Sequence, residues 1–213
     1  MTEHLKLDHI VYAVPDLEGA IDEFTRRLGS APAFGGRHEG LGTHNAILPL
    51  AGETYVELIA ADPGLPAPNQ QRPFGLDSLQ GPRLVTWAVR SRNIEADATR
   101  ARERGYDPGI VFEMSRKEPD GEVLRWKLSL RAKPLGDGLV PFVIDWGSAT
   151  HPAAASAADS VRCTLGNLSA QHPDPQAVRG ALDALGVELS VDEAPTANLC
   201  ARLTGPAGSL ELE

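Results

Sequence analysis

The chain is poor in thiols and in positive charge, and it has no long apolar run. Its two cysteines, Cys163 and Cys200, lie far apart with no CxxC spacing. That excludes a disulfide framework and a cysteine-rich zinc module, and it predicts two reduced thiols in a cytoplasmic protein. Twenty Lys and Arg stand against 29 Asp and Glu, a net charge of −9. A basic stripe that could neutralise phosphates is therefore missing, so neither nucleic acid nor an anionic membrane surface is an expected partner. No stretch approaches the roughly 18 apolar residues of a membrane span, and the first residues lack a basic-then-apolar leader. P-loop, dinucleotide fingerprint and Ser-His-Asp constellation are absent as well.

What the chain does have is internal repetition, whose recognition decides the fold. The first unit opens with alternating residues 7–14, Leu7, His9, Val11 and Ala13 on one face and Ile10, Tyr12 and Val14 on the other. Asp16 is a candidate helix cap. Leu17, Ala20, Ile21, Phe24 and Leu28 form one helical stripe, and Gly29 stops it. Strand-like segments follow near 33–38, 44–50 and 53–60, giving the order β-α-β-β-β. A second unit starts at Arg83–Val89, continues through a helix from Ile94 to Arg104, turns at Pro119-Asp120-Gly121 and ends on Val140–Gly147. Small residues from Ala149 on form a linker (149–159). A third, shorter copy, residues 160–213, has a strand near 161–168, a helix capped by Asp174 with Pro175 in its first turn, and a stop at Gly186. Its end, 197–212, echoes 45–58.

One such unit cannot bury both faces of its sheet. The expected fold class is α+β: the units at 5–62 and 82–148 pair into a curved, cup-like mixed sheet within 5–150, with helices outside and the His9 face lining the cup. The third unit, left alone, would expose a sheet face. It is expected to dock within the chain or in a homodimer, the dimer being favoured because the first two units already pair with each other.

Leu7-Asp8-His9-Ile10-Val11, Gly35-Gly36-Arg37-His38, Gly42-Thr43-His44-Asn45-Ala46, Tyr55-Val56-Glu57-Leu58-Ile59, Leu124-Arg125-Trp126 and Pro141–Trp146 resemble the glyoxalase-like domain family of the vicinal-oxygen-chelate superfamily, over residues 5–150. The resemblance implies a small-molecule enzyme, a lyase or isomerase or a dioxygenase-type catalyst. It equally allows a metal-free protein that sequesters a drug or metabolite. It implies metal ligands on the first and last strands of both units: His9 and Glu57 in the first, and Leu84 opposite His9 with Ile144 or Asp145 opposite Glu57 in the second. Glu211 is the third unit's counterpart.

His9 and Glu57 are thus the candidate catalytic pair and the candidate ligands of one divalent ion (Zn, Mn, Ni or Fe), with Asp145 as a further ligand; no metal at all is the equal alternative. Arg37, His38, His44, Trp87 and Trp126 are the candidate ligand-binding residues. Arg116 and Arg125 read as solvated edge charges.

Overall fold

A computed structural model describes residues 4–117, 121–131, 135–155 and 163–213. The first unit consists of β1 (Lys6–Ala13), α1 (Leu17–Leu28), β2 (Ala33–His38), β3 (Thr43–Leu50) and β4 (Thr54–Ala61). The second consists of β5 (Arg83–Arg90), α2 (Ile94–Glu103), β6 (Ile110–Lys117), β7 (Val123–Leu130) and β8 (Phe142–Asp145). Their eight strands close into a barrel in the order β1-β4-β3-β2-β6-β7-β8-β5. The two units join twice. β1 pairs antiparallel with β5 along its length, whereas among the described residues β2 meets β6 at one residue pair, Arg37 with Lys117. The expected turn at Pro119-Asp120 lies outside the described residues.

Both helices lie outside the barrel, for the reasons their sequences suggest. Gly29 ends α1 in the left-handed conformation that glycine adopts without a Cβ clash, and Asn93 caps α2 by accepting from the Ala96 N–H. The outward faces of the strands supply Ile10, Val14, Ala46, Leu48, Val56 and Leu58 to the core beneath the helices. The inward faces supply Val11, Ala13, Ile47, Ile59, Ala88 and Ile144 to a second cluster inside the barrel.

A short helix, α3 (Pro152–Ala155), leads on to β9 (Thr164–His172), α4 (Pro175–Leu185), β10 (Ser190–Glu193), β11 (Asn198–Gly205) and β12 (Gly208–Leu212). The expected β-α-β-β-β order is present; the expected start of β9 at 161 lies outside the described residues. In the first unit the opening strand pairs with the last, whereas β9 pairs with β10 in parallel and with β11 antiparallel, giving β10-β9-β11-β12. The strand after α4 takes the edge of β9 that β4 takes on β1, so this unit makes no cup, and Glu211 sits exposed in a bond with Arg202.

The unit docks within the chain. β11 and β12 cover α1, and α4 packs on α2. Leu199, Ala201, Leu203, Leu210, Leu212 and the α4 stripe share one continuous core with Phe24, Leu28 and Trp87. Backbone bonds stitch the seam: Ala51 N–H to the Cys163 carbonyl, Ala207 N–H to that of Leu28, and Leu84 N–H to that of Glu213. The argument for a dimer falls away, because the sheet face that needed a partner already has one.

Leu203 is fully buried in that shared core. Leu203→Ala is expected to cost roughly 2–5 kcal/mol and to lower one cooperative transition in chemical denaturation. A separate early transition would mean that the third unit folds independently of the barrel.

Candidate functional site

The site begins with an irregularity in β1. The pairing of β1 with β5 shifts between Leu7 and His9, so two consecutive residues, Asp8 and His9, are both buried. Leu7 packs with the helix-side core, not beside His9 as strict alternation predicts. A bulge is the means by which a strand turns neighbouring side chains the same way. Asp8 Oδ1 lies 2.7 Å from His9 Nδ1. Asp8 Oδ2 accepts from Arg90 Nε at 2.7 Å and Trp146 Nε1 at 3.1 Å, and it lies 3.1 Å from His151 Nε2. Burial works to raise the Asp8 pKa, but the bonds to His151 and His9 outweigh it and hold the carboxyl far below the usual carboxylate range. Asp8 is therefore an anion at any working pH.

That anion orients His9. With Nδ1 turned to Asp8, Nε2 faces into the barrel, 3.8 Å from Glu57 Oε2. Tyr55 stacks on the imidazole with centroids 4.5 Å apart, and Phe142 meets it edge-on. Glu57 comes from β4, and its Oε1 accepts from Asn45 Nδ2 on β3 at 2.5 Å. A cavity of about 130 Å³ opens beside this pair. Its remaining wall is largely apolar, including Phe112, Met114, Leu128, Phe142 and Trp146, with Arg116 and His38 as further polar groups. Burial pushes the His38 pKa down, so its imidazole is neutral near pH 7; its Nδ1 lies 3.0 Å from the Thr43 hydroxyl.

The structure brings His9, Glu57, His38 and Trp126 together on the cavity. The other sequence candidates lie elsewhere. Arg37 and His44 point outward and gather round the buried Asp62, at 2.9 and 3.9 Å. Trp87 belongs to the helix-side core, where its indole donates to the Leu139 carbonyl. Asp145 stays on the helix side, accepting from the Ile94 and Gly147 N–H groups, so Ile144 faces the cavity. Arg116 reverses the edge-charge reading: it is 6% exposed and lines the cavity. Asp8 and Asn45 lie within stretches that carry the family resemblance without being candidates themselves, and His151 lies outside them all; the Asp-His step at 8–9 is the one local signal, and strict alternation puts Asp8 on the wrong face.

The register also redraws the correspondence between the two units. Ala13 and Arg90 end the first strands, and Leu17 and Ile94 start the helices, each pair 77 residues apart. At that spacing Thr86, not Leu84, corresponds to His9. Val11 pairs with Glu57 as Ala88 pairs with Phe142, so Phe142 is the counterpart of Glu57. The Thr86 hydroxyl is committed to the Gly138 carbonyl, and phenylalanine has no donor atom. Protein-held catalytic zinc takes about three side-chain ligands; Asp8, His9 and His151 lie together, but Asp8 is engaged by Arg90, Trp146 and the two imidazoles, and among the described residues no group of three His, Cys, Asp or Glu is arranged to hold a metal ion. A protein-held divalent ion does not fit this donor set.

A glyoxalase-like domain profile matches residues 7–186. The chain belongs to that family, within the vicinal-oxygen-chelate superfamily. No curated protein matches it in sequence. Among solved structures, a hypothetical protein from Staphylococcus aureus is 12% identical, with 98% of this chain and 99% of that one covered and a TM-score of 0.67. It shares the whole fold, the C-terminal sheet included. Methylmalonyl-CoA epimerase from Mycobacterium tuberculosis is 22% identical over 72% of this chain and 95% of that one, with a TM-score of 0.45. A variant of the Streptomyces coelicolor epimerase, solved with 2-nitronate-propionyl-CoA, is 16% identical over 69% and 100%, also at 0.45. Family and cavity together define a small-molecule enzyme or binding protein, and no helix among the described residues is long and apolar enough to cross a membrane.

The Asp8 carboxyl carries a pH signature. Its folded-state pKa lies below the ordinary value of 3.8. Its stabilisation is therefore complete above that value and is withdrawn as pH falls through it towards the folded-state pKa. Asp8→Asn is expected to remove roughly 3–5 kcal/mol at neutral pH and to flatten the acid limb of a stability profile below about pH 4. Urea titrations from neutral to acid pH check both effects.

Proposed function

We propose that the protein is a small-molecule enzyme that moves a proton on a carbon acid, as an isomerase or lyase does, with no metal among its working groups. The Asp8–His9 bond carries this reading. An imidazole whose Nδ1–H is tied to a buried carboxylate presents a lone pair at Nε2, and the carboxylate stabilises the imidazolium formed when that lone pair takes a proton. In the forward step a substrate C–H bond breaks, the proton goes to His9 Nε2, and the electron pair moves onto the neighbouring carbonyl oxygen. Glu57, held by Asn45, takes the companion role of accepting a hydrogen bond from a substrate hydroxyl, and the proton on His9 Nε2 returns to the neighbouring carbon of the product. The charge of Arg116 on the same cavity favours the developing oxyanion. Among the described residues the cavity wall offers no serine, cysteine or lysine, so proton transfer suits it better than a Ser, Cys or Lys nucleophile.

The ligand-binding part is residues 5–150, with 160–213 as its cover. Two unbridged cysteines suit a reducing compartment, the cytoplasm. The runner-up, a binding protein for an apolar metabolite or drug, draws on the same cavity wall and differs only in the absence of turnover.

Deuterium exchange separates the two. Small aryl ketones and 2-hydroxy ketones, incubated with the protein in D2O and followed by NMR, are expected to lose the proton next to the carbonyl. His9→Gln and Glu57→Gln should each slow that exchange by about 10²–10⁴-fold, and the melting temperature should change little in the Glu57 variant. Saturable binding without exchange would establish the binding protein instead.

A further inference from the structure

The barrel wall has a weak place. Among the described residues, seven of its eight strand junctions are ladders of three to eight residue pairs, and the eighth, β2 to β6, is the pair of Arg37 and Lys117, so that β6 from Ile110 to Arg116 has no β2 residue paired to it. The rest of that side of the cavity is built without strand pairing. Of the residues that line the cavity, Leu41, Pro73 and Phe74 come from 3-10 segments, Glu39–Leu41 and Pro73–Ser78. They line the same cavity as Phe112 and Met114 of β6, the strand that β2 leaves unpaired from Ile110 to Arg116.

Phe74 stands out among them. Its φ of 60° and ψ of 19° are left-handed, and Gly75 follows at φ 69°. A left-handed phenylalanine is an outlier that persists only where its surroundings hold it, and such residues cluster at ligand clamps. The segment is held on both sides of the ring. Arg72 Nε donates to the Gly42 carbonyl at 2.9 Å, and Asp77 accepts from the Arg72 N–H at 2.8 Å and from its guanidinium at 2.5 Å. Leu76 is buried in the cluster inside the barrel. The flanking chain, with Pro66 and Pro68, belongs to no strand.

We propose that Phe74 closes the open seam and sets the size limit of the ligand: its ring is the movable wall of the cavity, and a substrate enters between the 39–41 turn and β6. This rests on the reading of the cavity as a ligand site. The cavity of about 130 Å³ is close to the roughly 150 Å³ that admits a benzene ring. A single ring or a short branched chain fits with Phe74 in place, and a fused double ring does not.

The test uses the whole chain with two anionic probes suited to Arg116, benzoate and 2-naphthoate, read by thermal shift and calorimetry. The wild type is expected to bind benzoate and not 2-naphthoate. Phe74→Gly keeps the left-handed turn at no conformational cost and removes the ring, so it should bind 2-naphthoate at least about tenfold more tightly than the wild type does. Phe74→Leu, which keeps an apolar plug, should change in the same direction to a lesser degree and guards against loss of fold in the glycine variant. Equal binding of 2-naphthoate to the wild type overturns the proposal, as does an unchanged size limit in both variants that still bind benzoate. If neither acid binds to the wild type or to either variant, the reading of the cavity as a ligand site falls, and the gate with it.

Discussion

One buried carboxylate holds the site together. Asp8 gathers Arg90 from β5, Trp146 from the end of β8, His151 from the chain leading into α3, and its own neighbour His9. Two stretches distant in sequence, β5 at Arg90 and the segment 146–151, are thus tied to the start of β1 through one atom group. A buried anion with several donors is stable only as long as all of them stay. The geometry of His9, the position of Trp146 on the cavity wall and the path of 149–155 over the barrel all follow from this arrangement.

The fold was legible because its signals are local and repeated. Asp16, Gly29, Asn93, Asp174 and Gly186 mark helix ends through short-range chemistry, and the alternation in β3 and β4 sorts inside from outside. His9, just past the bulge in β1, and Glu57, on regular strand in β4, both line the cavity. The failures share a cause. The bulge at Asp8 and the second shift near Val85 break the period of two, and one residue of slip exchanges the faces of a strand. Hence Leu7 moved to the helix side, and Thr86 replaced Leu84 as the second unit's counterpart of His9. Arg37 and His44 read as pocket residues because they flank the strand positions that do face inward.

Strand order in the third unit was beyond the reach of its sequence for another reason. The same β-α-β-β-β series can place the strand after its helix at either edge of the opening strand, and nothing local chooses. The choice is made by what the finished sheet must cover, here α1, and by the fit of α4 beside α2. Glu211 echoes Glu57 in sequence and shares none of its surroundings.

The docking of β11 and β12 over α1 also bears on how the chain acquires its shape during synthesis. The eight barrel strands are all in place by residue 145, yet Phe24, Leu28 and Leu50 share their core with residues beyond 163. Until those later strands emerge, the nascent barrel presents a bare apolar flank. Such a flank attracts chaperones and neighbouring chains. A ribosomal pause placed between residues 150 and 200 would therefore lengthen the most aggregation-prone moment in this protein's life, and a faster passage through that stretch would shorten it.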